Sequence, residues 1–166
     1  MNATPIAILC VEDEPEVREA VLRDLRPLAS HFHIEAAGDA VDAAAILAEF
    51  ANQSILPGLI LCDHRLPGES GVDFLSRIHE VVEYQDTRKV LLTGQAGHKD
   101  TIQAVNHAGL NHYLAKPWDP ADLVATCKHE LTEFVLSRND IDPMPFLAIL
   151  DAPRLLEKIS RLGGPA

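Results

Sequence analysis

The chain has 166 residues, and its 14 Lys+Arg against 25 Asp+Glu leave a formal net charge of −11 and a pI near 5.0. That balance argues against a nucleic-acid binder, because phosphate backbones need a basic face, and no apolar run approaches the roughly 18 residues of a membrane span. A hydrophobic share of 47% fits one folded core, and Cys10, Cys62 and Cys127, odd in number and far apart, fit a reduced cytoplasmic protein without a signal peptide.

In chain order, Ile6–Val11 (IAILCV) is short, apolar and rich in β-formers, the pattern of a strand buried on both faces. Val17, Val21, Leu22, Leu25 and Leu28 then recur at helical spacing, with Pro15 near the helix start, where proline is tolerated. Residues 32–36 read as a second strand. Asp39 can cap a helix through Ala43, Ala44, Ile46, Leu47 and Phe50. Residues 59–62 (LILC) read as a third strand, with Pro57-Gly58 before it as a breaker. A helix over 72–82 turns Phe74, Leu75, Ile78 and Val82 inward. Residues 90–92 form a fourth strand, 100–108 a short helix stopping at Gly109, and His112–Ala115 a fifth strand. A long helix over 119–137 carries Leu123, Val124, Cys127, Leu131, Phe134 and Val135 on one stripe. The remaining residues, 139–166, hold Pro143, Pro145 and Pro153 and a short amphipathic helix over 153–162.

This order is (βα)5, an α/β fold. Parallel strands need right-handed crossover helices, so the simplest product is a doubly wound parallel five-stranded sheet with helices on both faces. Functional groups in such sheets gather beyond the carboxyl ends of the strands. Those positions hold Glu12-Asp13-Glu14, Asp63, Thr93-Gly94 and Lys116-Pro117. Three clustered carboxylates are tolerable with a cation, and hard oxygen ligands with room for water suit Mg²⁺. A carboxylate beside that ion can attack a phosphoryl group, while Lys116 supplies charge and Thr93 a hydroxyl donor.

These motifs resemble the receiver domains of two-component response regulators. The likeness rests on Ile8-Leu9-Cys10-Val11-Glu12-Asp13-Glu14-Pro15, on Asp63-His64-Arg65-Leu66-Pro67-Gly68-Glu69-Ser70-Gly71, on Val90-Leu91-Leu92-Thr93-Gly94 and on Tyr113-Leu114-Ala115-Lys116-Pro117-Trp118. It covers residues 5–137, in order and at the right spacings. The resemblance implies a flavodoxin-like strand order 2-1-3-4-5 and a phosphoacceptor at Asp63. It implies Mg²⁺ held by Asp13, Asp63 and the backbone carbonyl of Arg65, with Glu12 acting through metal-bound water. Many members have Asp where Glu12 stands, and Glu is also common there. Thr93, Gly94 and Lys116 would surround the phosphoryl oxygens, and Lys116-Pro117 would be cis. Arg65 and Gln95 occupy the positions that tune phosphate lifetime. Thr93 and Tyr113 occupy the switch positions, acting on the face formed by the fourth predicted helix, fifth strand and fifth predicted helix. The implied partners are a sensor histidine kinase or phosphotransfer protein upstream, and a protein target or output domain downstream; direct DNA binding is not expected, because the chain is acidic and residues 139–166 are too few for a DNA-binding output domain.

Each residue also has a plainer reading. An acidic run is usually a solvated helix start, Lys116 a surface charge, Tyr113 a half-buried strand aromatic. Alternation would put His31 and His33 on one strand face, where they could bind metal, but no further ligand stands at matching spacing. His64 reads best as a solvated loop residue beside the acceptor, Trp118 as packing at the start of the last long helix, and the cysteines as small buried hydrophobes. An aspartate-nucleophile phosphatase would need a general acid two residues after Asp63, where Arg65 stands. A degenerate receiver serving only as an interaction module conflicts with the intact motifs. The expected organisation is a receiver over 1–138 and a C-terminal extension over 139–166. That extension could fold back, pair with a second copy to form a homodimer, or lead into a further domain. The Lys-Pro-Trp ending resembles receivers attached to histidine kinases or cyclic-di-GMP phosphodiesterases.

Overall fold

The computed structural model describes residues 4–94 and 108–164. Its strands are β1 (Ile6–Val11), β2 (His33–Ala37), β3 (Leu56–Asp63), β4 (Arg88–Thr93) and β5 (His112–Ala115). The described helices are α1 (Pro15–Asp24), α2 (Ala40–Asn52), α3 (Gly71–His79), α4 (Pro120–Ser137) and α5 (Ala152–Leu162). The helix expected over 100–108 lies, apart from Ala108, outside the described residues.

The five strands form one parallel sheet in the order β2-β1-β3-β4-β5. Every residue of β1 is buried, because successive side chains enter cores on opposite faces. Ile6, Ile8 and Cys10 join Val21 of α1, Leu25 just past its end, and Leu123, Cys127 and Phe134 of α4. Ala7, Leu9 and Val11 join Leu47 and Phe50 of α2 and Phe74 and Leu75 of α3. The doubly wound, flavodoxin-like arrangement is therefore present as expected.

Local chemistry sets the helix ends. Pro15 opens α1, and Pro27 falls within the 3₁₀ turn Arg26–Leu28 that replaces its expected continuation. The Asp39 carboxylate accepts the Asp42 amide at 2.7 Å and caps α2. Ser70 and Asp119 cap α3 and α4 in the same way.

Pro57-Gly58 does not precede β3; it lies inside it. The β1–β3 register shifts between Ala7 and Ile8, opposite this pair. A Cβ at Gly58 would stand 2.5 Å from Ile6 Cγ2, so only glycine lets the two strands approach there. Strand β4 likewise begins earlier than expected, at Arg88. Arg88 pairs with buried Glu130 at 2.8 Å, and fully buried Lys89 donates to the carbonyls of Tyr84 (3.0 Å) and Thr87 (2.7 Å). These partners let charged residues enter a strand that sequence alone limits to its apolar part.

The C-terminal extension folds back onto α4. Ile141, Phe146, Leu150 and Leu155 are buried within the core under α1 and α4, and the Phe146 ring stacks on Phe32 at 5.5 Å. Lys158 Nζ donates to the carbonyl of Val135 at 2.6 Å and to that of Arg138, supplying a donor at the end of α4. Arg154 pairs with Glu133, and the Asp151 amide donates to Thr132 Oγ1 at 3.3 Å. Among the described residues, no helix is long and apolar enough to cross a membrane.

Candidate functional site

Parallel pairing brings four strand ends to one edge of the sheet. Val11 is level with Cys62, Asp63 with Leu92, and Thr93 with Ala115. The residues that end or follow these strands, Glu12-Asp13, Asp63, Thr93 and Lys116, therefore meet. One oxygen each from Glu12, Asp13 and Asp63 lies within 4.8 Å of the others. Lys116 Nζ stands 2.8 Å from Glu12 Oε2 and 3.2 Å from Asp63 Oδ1. The loop after β5 is held in register by Lys116 N donating to Thr93 O at 2.8 Å, and the Lys116–Pro117 peptide is cis.

Burial divides the three carboxylates. Glu12 has no exposed surface and Asp63 is 5% exposed, whereas Asp13 faces solvent. Burial pushes the Glu12 carboxyl above the usual carboxylate range, against the lowering pull of its hydrogen bond to Lys116. Burial by itself would lower the Lys116 ammonium, but the hydrogen bond to Glu12 and the charges of Asp63 and Glu12 outweigh it, and its pKa is raised. Two of the three clustered carboxyl groups, Glu12 and Asp63, share one ammonium. Thr93 Oγ1 is buried beside them and has no hydrogen-bond partner among the described residues. Excess hard-oxygen acceptors and an orphaned hydroxyl donor suit a divalent cation and an anionic group bound together.

Glu14, His64, Arg65 and Gly94 complete the rim of this cavity of about 440 Å³. Arg65 and Gly94 are exposed at its mouth. Gln95 lies outside the described residues. Tyr113 is 51% exposed on β5, more open than a half-buried strand aromatic, and its ring lies 6.1 Å from that of His112. Trp118 ties the loop after β5 to α1, its Nε1 donating to Asp24 Oδ2 at 3.0 Å. His31 contacts Ser30 and His33 contacts Glu35, outside the acidic cluster. All three cysteines are free and buried, and burial pushes the Cys10 thiol up to about 12.

Two residues of the site were not singled out from sequence. Gly71 packs so closely that a Cβ there would stand 1.9 Å from the Asp63 carbonyl oxygen. Arg18 Nη1 donates to the Glu12 carbonyl at 3.0 Å. Gly71 opens a helix within the quoted motif, a position where glycine has no helical purpose. Arg18 carries no comparable signal, since its acceptor is a backbone atom.

Residues 8–128 match the response regulator receiver domain family. The chain is 36% identical over 131 residues to the hydrogenase transcriptional regulatory protein HoxA of Bradyrhizobium diazoefficiens, covering 79% of this chain and 25% of HoxA. It is 34% identical over 129 residues to the response regulator Rre1 of Synechocystis, covering 78% of this chain and 53% of Rre1. The chain thus spans a quarter to about half of these relatives. Among solved structures, the signal receiver domain of an HD domain-containing protein from Pseudomonas fluorescens Pf-5 superposes with a TM-score of 0.68 at 30% identity, covering 78% of this chain and 96% of that one.

Proposed function

This chain belongs to the response regulator receiver domain family of two-component signalling, and on that premise we propose that Asp63 stores a phosphoryl group drawn from a phosphohistidine on a sensor kinase or phosphotransfer protein. The observation carrying this reading is the meeting of Glu12, Asp13 and Asp63 within 4.8 Å, with Lys116 bridging Glu12 and Asp63.

Asp13, Asp63 and the backbone carbonyl of Arg65 would hold Mg²⁺, with Glu12 acting through its water. Bound there, the ion supplies neutralisation of phosphoryl oxygens and of the carboxylates themselves. A carboxylate oxygen of Asp63 attacks phosphorus, the P–N bond to the donor imidazole breaks, and an aspartyl phosphate results. Lys116, already against Asp63, moves its ammonium onto a phosphoryl oxygen, and Thr93 donates its hydroxyl to another. Gly94 keeps the mouth open to donor and water. Arg65 at the rim tunes access of water, together with Gln95.

The switch follows from the same hydroxyl. Drawing Thr93 inward opens space toward β5, and Tyr113 turns from its exposed position into it. Phosphorylation biases the two arrangements by that differential contact. The output is a change in protein contacts in the cytoplasm, with a protein target or an attached output domain. The intramolecular packing of Phe146 and Leu155 favours self-packing of the extension over pairing with a second copy.

The test is incubation with a small phosphodonor and Mg²⁺ followed by intact mass. Wild type gains one phosphoryl group, and Asp63→Asn gains none. Equal gain by both overturns the assignment.

A further inference from the structure

Strand β2 ends at Ala37, the residue that makes the last β1 pairing, opposite Val11. The Glu12 amide still finds a partner there, donating to Ala37 O at 2.9 Å. The Glu12 carbonyl has no following β2 residue to pair with. Its donor comes from α1: Arg18 Nη1, at 3.0 Å. The same nitrogen would lie 3.3 Å from a Cβ at Gly38, so the guanidinium is seated against the loop that leaves β2. Arg18 therefore pins the point at which the chain turns from β1 into the acidic pair Glu12-Asp13.

We propose that Arg18 is a positioning residue for the acidic cup. Its guanidinium fixes the Glu12 carbonyl, and so aims the Glu12 and Asp13 carboxylates at Asp63. Two arguments favour this over a contact that only adds stability. A charge-assisted bond to a backbone carbonyl orients the peptide plane that joins Glu12 to Asp13, the two residues with the least freedom to err. The guanidinium also places a permanent positive charge on the backbone carbonyl that joins Glu12 to Asp13. Groups that orient metal ligands from behind typically alter metal affinity by about 10–100-fold when removed. The proposal rests on the magnesium reading of the cup, and its test separates the two.

The full chain is prepared as wild type, Arg18→Lys and Arg18→Met. Mg²⁺ affinity is measured by titration calorimetry, and amide spectra are recorded without metal. In Arg18→Met, Mg²⁺ binding weakens about 10-fold or more, and the metal-free amide signals of Glu12, Asp13 and Gly38 shift while those of α3 and α4 stay in place. Arg18→Lys, which keeps the charge and a donor, recovers part of the affinity. Wild-type affinity in a folded Arg18→Met overturns the proposal. Should Arg18→Met not fold, Arg18→Lys decides: affinity below wild type with displaced Glu12 and Asp13 amides supports the positioning role, and unchanged affinity and amides overturn it. Absence of Mg²⁺ binding by wild type instead overturns the reading of the cup, and the metal-free amide shifts then still decide whether Arg18 aims the turn.

Discussion

Glu12 Oε2 lies 2.8 Å from Lys116 Nζ, joining the end of the first strand to the loop after the last. The ammonium is thus a resident cation among the carboxylates that would receive a metal. Lys116→Met removes that competitor and also removes a phosphoryl partner. The expected result is Mg²⁺ affinity equal to or above wild type, with phosphorylation from a small donor slowed about 10-fold or more. Calorimetry and intact-mass time courses read the two effects separately.

The burial of Glu12 gives the metal-free protein a pH dependence of defined sign. Its folded-state pKa is raised above the ordinary 4.5. The folded state therefore binds the Glu12 proton more tightly than the unfolded state. That contribution to stability is full below pH 4.5 and is lost as pH rises through the raised value. The stability difference between wild type and Glu12→Gln, from denaturant titrations without metal, should fall with rising pH over this window. Mg²⁺ affinity should move the other way, strengthening as Glu12 deprotonates.

The hydroxyl of Thr93 is buried without a partner among the described residues, so its removal disturbs nothing already bonded. Thr93→Ala should keep Mg²⁺ affinity and stability near wild type. It should abolish the response of Tyr113 to phosphorylation, read by tyrosine fluorescence or ring resonances. An unchanged Tyr113 response would contradict the switch.

Phe146 is 4% exposed and stacked on Phe32. Phe146→Ala should lower unfolding stability by about 3 kcal/mol, the usual loss for a buried phenylalanine. Deleting residues 139–166 uncovers Phe32 and part of α4 and removes the Lys158 contacts at its end. The expected outcome by light scattering is a less stable chain with a greater tendency to associate. If the extension instead paired copies, deletion would turn a dimer into a stable monomer.

Most of the sheet was legible because its central strands are buried on both faces, which leaves continuous apolar runs such as IAILCV and LILC. The gathering of Glu12, Asp13, Asp63, Thr93 and Lys116 followed from chain order alone, since a parallel sheet places all strand ends at one edge. What escaped notice depends on partners distant in sequence. Gly58 belongs inside β3 because Ile6 approaches it, and Lys89 enters β4 because two carbonyls receive its ammonium. Glu130, on a helix stripe, is buried because Arg88 reaches it. Phe146, in a proline-rich segment, becomes core through Phe32. Arg18 acts on a backbone atom, which no residue pattern announces.

The central claim is that Asp63 itself carries the phosphoryl group. The most direct measurement is reduction of the phosphodonor-treated, Mg²⁺-loaded chain with borohydride, which converts an aspartyl phosphate to homoserine, followed by peptide sequencing. The account predicts homoserine at position 63 and at no other aspartate. Homoserine elsewhere, or an unmodified Asp63 in phosphorylated protein, would contradict it.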